Sequence, residues 1–163
     1  MRKKLILDTA RKLFNEQGLP NVTIRQIAQE MKISSGNLTY HFQKREELVQ
    51  WIFKDLNIIE GKFLRLYRQS TLNNTQLNKL MKSHAKAMFH YRFFWIDFVQ
   101  VGREDIKTQN NIDSLMQKRL SELDYEWANY LNQFLYLMAT SKVEFTPKAF
   151  ELHFKKLEDK VFY

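Results

Sequence analysis

The chain has 163 residues, of which 44% are hydrophobic, with four glycines, two prolines and no cysteine. That supplies enough apolar side chain for a packed core and too little Gly and Pro for a turn-rich β protein, and it excludes disulfides, thiolate metal sites and cysteine nucleophiles. The formal charge of +8 favours a polyanionic partner, while the lack of a long apolar run and the early Asp8 argue against a membrane span or signal peptide, so a cytoplasmic chain is expected.

The charge is uneven. Residues 1–50 hold nine Lys and Arg against five Asp and Glu, and residues 51–163 hold seventeen against thirteen. The first third therefore has more than twice the charge density of the rest.

In chain order, Ile6, Ala10, Leu13 and Phe14 recur at helical spacing between Lys3 and Gln17, and Gly18 supplies a stop. Gly18-Leu19-Pro20-Asn21 reads as a turn. Thr23-Ile24-Arg25-Gln26 matches a capping box opening a short helix with Ile24, Ile27, Ala28 and Met31 inward. Ser34 or Ser35 can cap a third helix to about His41. A long helix follows over Arg45 to about Gln69, with Leu48, Ile52, Leu56, Ile59, Phe63 and Leu66 on one stripe. Residues 69–75 are polar and cap-rich, hence a loop, and further helices are expected at about 75–90, 93–102 and 110–139. Phe93-Phe94-Trp95-Ile96 is apolar on every side and should be buried all round. Ser141 to Thr146 breaks the pattern, and Thr146-Pro147 opens a last helix. The expected architecture is all-α, with about eight helices.

Three short helices within 41 residues match the size of a helix-turn-helix unit. Ile33 is the apolar residue of the turn, and Ala28 is small enough for a close crossing of the second and third helices. The outward side of the third helix (Ser35, Gly36, Asn37, Thr39, Tyr40 and His41) is small or polar, a surface that suits a major groove. By pattern alone, any three-helix bundle remains open. The N-terminal Met1-Arg2-Lys3-Lys4 reads as a phosphate arm or, more commonly, a frayed terminus.

Ile6 to Phe14, Gly18, Thr23 to Ala28, Ile33 to Phe42 and then Arg45-Glu46-Glu47-Leu48 together resemble the TetR family of transcriptional regulators, in order and across the whole three-helix unit. The resemblance implies an N-terminal DNA-binding domain, residues 1–45, followed by a helical ligand-binding and dimerisation domain, residues 46–163. It implies that Thr23 contacts a phosphate as well as capping its helix, and that Arg25 reaches a base edge or phosphate. By the same resemblance Gly36, Asn37, Thr39 and Tyr40 face the groove, with His41 on the phosphate side. Arg45 matches the usual Lys at the head of the fourth helix, where a phosphate contact is implied. Two departures stand out. Met31-Lys32 replaces the usual Ala-Gly, so Lys32 must adopt the turn without glycine's freedom, at about 1 kcal/mol. Lys44 replaces the usual Ser or Asn cap of the fourth helix.

Beyond residue 85 the chain is dense in aromatics. Core packing is one reading; the other is a pocket lined by Phe63, Tyr67, His84, Met88, Tyr91, Trp95, Phe98, Trp127 and Tyr130 that takes a small apolar or aromatic effector. The resemblance also implies a homodimer through the last two helices. The chain ends at Tyr163 after what reads as the first of that pair, so either the protein dimerises through a shortened bundle or, the favoured expectation, a further C-terminal helix follows, with Phe150, Phe154, Leu157 and Val161 facing it or a partner.

The expected function is a repressor that binds a palindromic operator in double-stranded DNA as a homodimer and is released by a small ligand. The alternative is a DNA-bound scaffold that recruits protein partners and senses no small molecule. His41, His84, His90 and His153 are dispersed without metal spacing, and no glycine-rich loop is present, so no enzyme, cofactor or metal site is expected.

Overall fold

The computed structural model describes residues 2–69 and 71–123 together with Lys148 and Lys155. Among these residues the chain is all-α. It runs through α1 (Arg2–Gln17), one 3-10 turn (Leu19–Asn21), α2 (Ile24–Glu30), α3 (Ser35–His41), α4 (Arg45–Gln69), α5 (Asn74–His90), α6 (Phe93–Ile96), α7 (Phe98–Glu104) and α8 (Ile106–Glu122).

The first helices form where their local signals lie. α1 buries Ile6, Ala10, Leu13 and Phe14, and it ends at Gly18, whose φ of 82° is the left-handed value that glycine adopts without strain. Both halves of the Thr23/Gln26 capping box are present at the start of α2. α2 closes with a Schellman motif, in which the Ile33 N–H reaches the Ala28 carbonyl at 3.0 Å and the Lys32 N–H reaches that of Gln29 at 3.0 Å. Lys32 occupies the position usually held by glycine, at φ 55°, as the Met31-Lys32 departure requires. The N-terminal Arg2, Lys3 and Lys4 belong to α1.

α4 lies against α1, α5 and α8. Its buried stripe includes Leu48, Ile52, Leu56 and Phe63 as read from the sequence, and also Val49, Phe53 and Leu64. Leu66 does not belong to it, being 45% exposed; the helix turns Leu64 and Phe63 inward instead. α5 opens with a second capping box, Asn73 with Gln76.

Two later expectations change. The helix expected at about 93–102 is broken at Asp97, whose carboxylate accepts a hydrogen bond from the distant Leu19 N–H at 2.7 Å and caps no helix of its own. Within α6, Phe93, Phe94 and Trp95 are buried, but Ile96 is 43% exposed. The helix expected from about 110 starts at Ile106, because Asp105 accepts from the Thr108 N–H at 3.1 Å. It stops at Glu122, and the part of that expectation over 124–139 lies outside the described residues. Ser121 in the last turn bonds back to the Lys118 carbonyl at 2.9 Å, and Leu123 is extended and buried. The break at 141–146, the last helix with Phe150, Phe154, Leu157 and Val161, and the side chains of Phe98, Trp127 and Tyr130 lie outside the described residues.

One continuous core runs from Ile6 to Leu123. Phe14 meets Phe93 at 5.2 Å, Phe93 meets Phe94 at 4.1 Å, and Phe94 meets Phe53 edge-on at 5.5 Å, so α1, α6 and α4 share one aromatic seam.

Candidate nucleic-acid interface

α3 is held by two side chains and one cap. Leu38 and Phe42 are fully buried, and the Ser34 hydroxyl accepts from the Asn37 N–H at 3.1 Å, satisfying one of the free donors of the first turn. With those positions fixed, the remaining face points outward: Ser35, Gly36 and Tyr40 are exposed, and Asn37, Thr39 and His41 are half-buried. Tyr40 is 86% exposed, with its ring edge-on to His41 at 5.2 Å. The Thr39 hydroxyl donates to the Gly36 carbonyl at 3.2 Å.

Gly36 is informative because no contact among the described residues explains it. A Cβ there would meet nothing within 4 Å, yet glycine inside a helix is less stable than alanine by up to about 1 kcal/mol. Thr23 and Arg25, at the start of α2, are both exposed. The Thr23 hydroxyl is 2.8 Å from Gln26 Oε1 and accepts from the Gln26 N–H at 3.3 Å.

The structure gives Arg45 a different role from the one the resemblance implies. Its guanidinium turns inward, donating to the Leu19 and Val22 carbonyls at 2.9 Å each and pairing with Glu104. Glu46 and Glu47 occupy the first turn of α4, and Glu47 accepts from the Gln43 N–H at 2.9 Å. That bond satisfies an N–H just before the helix and not the free donors of its first turn, and the two carboxylates make this helix start a poor phosphate seat. Lys44, just before α4, is exposed. Sequence reading passed over it, although a residue unable to cap is free to face solvent.

The α1–α3 unit is tied to the rest of the chain by polar contacts. Arg11 and Asn15 donate to the His90 carbonyl at 3.1 and 2.8 Å. Arg92 donates to the Asn15 carbonyl at 3.1 Å, and Asn15 Oδ1 accepts from the Phe93 N–H at 3.1 Å. Burial pushes the Asp97 carboxyl up from its ordinary range, with the Leu19 N–H opposing that shift. For Asp105, burial is outweighed by hydrogen bonds from Thr108 and Gln50, which hold its carboxyl low. Tyr91, expected in a pocket, instead lies under the Arg11 guanidinium, 5.1 Å from the ring centroid.

Four of the other expected pocket residues gather around a buried ion cluster at the crossing of α4, α5 and α8. Glu60 is paired with Arg119, with Nε 2.9 Å from Oε2, and lies 2.8 Å from His84 Nε2. His84 stacks on Phe63 at 3.7 Å, Arg119 Nη2 lies 2.9 Å from the Met88 sulfur, and its guanidinium sits 5.0 Å from the Trp95 ring. Tyr67 is half-buried at the edge, 6.1 Å from Phe63. Burial would raise the Glu60 carboxyl, but the charges and hydrogen bonds of His84 and Arg119 outweigh it and lower it to about 2. His84 Nδ1 and Trp95 Nε1 are buried with no hydrogen-bond partner among the described residues. No cluster of three or more His, Asp or Glu able to hold a metal occurs among the described residues, and no helix there is long and apolar enough to cross a membrane.

Residues 6–52 match the family model of bacterial regulatory proteins, tetR family. The chain is 29% identical over 90 residues to the HTH-type transcriptional repressor KstR2 of Mycolicibacterium smegmatis, covering 55% of this chain and 44% of that protein. It is 32% identical over 88 residues to the KstR2 repressor of Rhodococcus jostii, covering 53% and 43%. The matched part thus spans less than half the length of these curated relatives. In fold, it superposes on a TetR-family transcriptional regulator from Marinobacter aquaeolei with a TM-score of 0.77 at 19% identity, covering 99% of this chain and 98% of that one. The segment that matches this family model forms α1–α3 and the start of α4, and the chain is similar in fold to that TetR-family regulator.

Proposed function

We propose that the chain is a DNA-binding transcriptional repressor that acts in the cytoplasm, binds a palindromic operator as a homodimer and is released by a small ligand. The observation that carries the DNA-reading part is the outer face of α3, where Gly36 leaves open space and Tyr40 stands 86% exposed on a helix otherwise anchored by buried Leu38 and Phe42. A helix with this outer face fits a groove about 12 Å wide. Residues 1–45 form the reading unit and residues 46–163 the ligand-binding and dimerising unit. Ser35, Gly36, Asn37, Thr39 and Tyr40 meet the bases. Thr23, Arg25 and His41 meet the backbone or nearby base edges, and Lys44 takes the phosphate contact that Arg45 leaves.

A dimer follows from the small surface of one such unit, since two half-sites about 34 Å apart, or a multiple of that, let both copies engage one face of the duplex. Phe150, Phe154, Leu157 and Val161 are the dimer residues in this reading. The effector is small and apolar or aromatic and sits among Phe63, Tyr67, His84, Met88 and Trp95, with Phe98, Trp127 and Tyr130 completing the wall. A ligand shifts DNA affinity only by favouring one arrangement over another. α4 is the lever, because it runs from Arg45 at the reading head to the Glu60 cluster.

Selection from a random duplex pool, with binding measured across a salt series, tests this reading. Recovered palindromes with a steep salt dependence support it. Equal affinity for every duplex would reject a sequence-reading role.

A further inference from the structure

The α4–α8 crossing has a second, outer side. There a cleft of about 440 Å³ opens between the two helices, lined by Gly61, Leu64, Arg65, Arg68, Lys118 and Glu122. Three of its six lining residues are cations and one is a carboxylate. Glu122 lies 3.6 Å from Arg68 and so engages one of the three. Arg65 and Lys118 are both exposed, and neither side chain has an ion pair or hydrogen bond among the described residues.

We infer that this cleft binds a small phosphate- or carboxylate-bearing anion, at a site separate from the aromatic cluster. Several observations converge on that class of ligand. The volume lies within the range of small-molecule sites, about 300–1,000 Å³. Two cations without an ion partner that line one concavity repel, and an anion between them relieves that repulsion. Arg65 offers a planar fork suited to a carboxylate or phosphate, and Lys118 adds a point charge. Gly61 leaves room at the wall, because a Cβ there would meet nothing within 4 Å. A nucleic-acid backbone is the less fitting occupant. Arg65 stands twenty residues along α4 from Arg45, about 30 Å from the reading head, and the site is a cleft rather than a ridge.

The site is also placed to matter for control. Gly61 adjoins Glu60, and Lys118 adjoins Arg119, the pair that pins α4 to α8 from the inside. An anion bridging Arg65 and Lys118 would pin the same two helices from the outside and bias the position of α4. This last step rests on the proposed role of α4 as lever; the binding itself does not.

The test is calorimetric titration of the full chain, without DNA, with inorganic phosphate and separately with citrate, at constant ionic strength set with chloride. The wild-type chain is expected to bind at least one of the two, and which one it binds tells phosphate from carboxylate ligands. Arg65→Gln and Lys118→Gln should each weaken binding about tenfold or more, and Gly61→Leu should block it without changing charge. Lys107→Gln, a loss of equal charge about 16 Å away on α8, should leave it unchanged. The inference is overturned if neither anion binds, if the cleft variants bind as the wild type does, or if Lys107→Gln weakens binding equally. Because no DNA is present, loss of this site leaves the operator reading standing, and failure to bind any operator leaves this site standing.

Discussion

Replacing Arg45 by alanine separates two roles that sequence alone assigns to the same residue. In the structure its guanidinium donates to two backbone carbonyls, Leu19 and Val22, and pairs with Glu104, with the two side chains 21% and 11% exposed. Hydrogen bonds to a charged group contribute about 1.5–3 kcal/mol each, and partial solvent contact discounts the ion pair. A net loss of about 3 kcal/mol is therefore expected, which for a chain of this size lowers Tm by roughly 6–12 °C. Arg45→Lys keeps the charge but not the fork, so it should lose most of the same stability. Chemical denaturation gives the first quantity. The salt dependence of DNA binding gives the second, since removing one phosphate contact reduces the log–log slope by about 0.9. Arg45→Ala should leave that slope unchanged at a temperature where the variant is folded, whereas Lys44→Ala should reduce it by about one contact. An Arg45→Ala chain of wild-type stability with a shallower slope would refute the inward role.

Gly36→Ala should stabilise the chain by up to about 1 kcal/mol, through better helix propensity, while weakening binding to a selected duplex; equal or tighter binding would show that the open space at Gly36 serves no partner. Lys32→Gly should raise stability by about 0.5–1 kcal/mol in urea denaturation, because a left-handed position no longer carries a side chain. For Glu60, a folded-state value lowered from 4.5 to about 2 means that its contribution is present above pH 4.5 and is lost as pH falls toward 2. The contribution is on the order of 3 kcal/mol. The stability gap between the wild type and Glu60→Gln, measured by denaturation at each pH, should shrink across that window; a constant gap would deny the ion cluster its role.

The parts of the fold that were legible in the sequence are those fixed by near neighbours. The Thr23/Gln26 box, the Gly18 stop, the strained Lys32 and the buried Leu38 of α3 are all set within a few residues, and each sits where the sequence puts it. What was not legible depends on partners far along the chain. The break at Asp97 comes from the Leu19 N–H, 78 residues away, and Arg45 is drawn inward by Leu19, Val22 and Glu104. Glu60 reads as an ordinary solvated acid on a long helix, yet it is buried because α5 and α8 bring His84 and Arg119 to it. The same crossing sets an ion-paired centre among the expected pocket residues Phe63, His84, Met88 and Trp95. Helix periodicity also overextended the α4 stripe to Leu66, since a repeat of apolar residues does not show where the neighbouring helices end.

Site-specific photo-crosslinking tests the central claim most directly. A benzoyl-phenylalanine placed at position 40 in the full chain, bound to its selected duplex and irradiated, should attach to bases within each half-site, whereas the same group at the exposed position 58 of α4 should not. Normal duplex binding with no attachment from position 40, or with attachment from position 58 instead, would contradict the account.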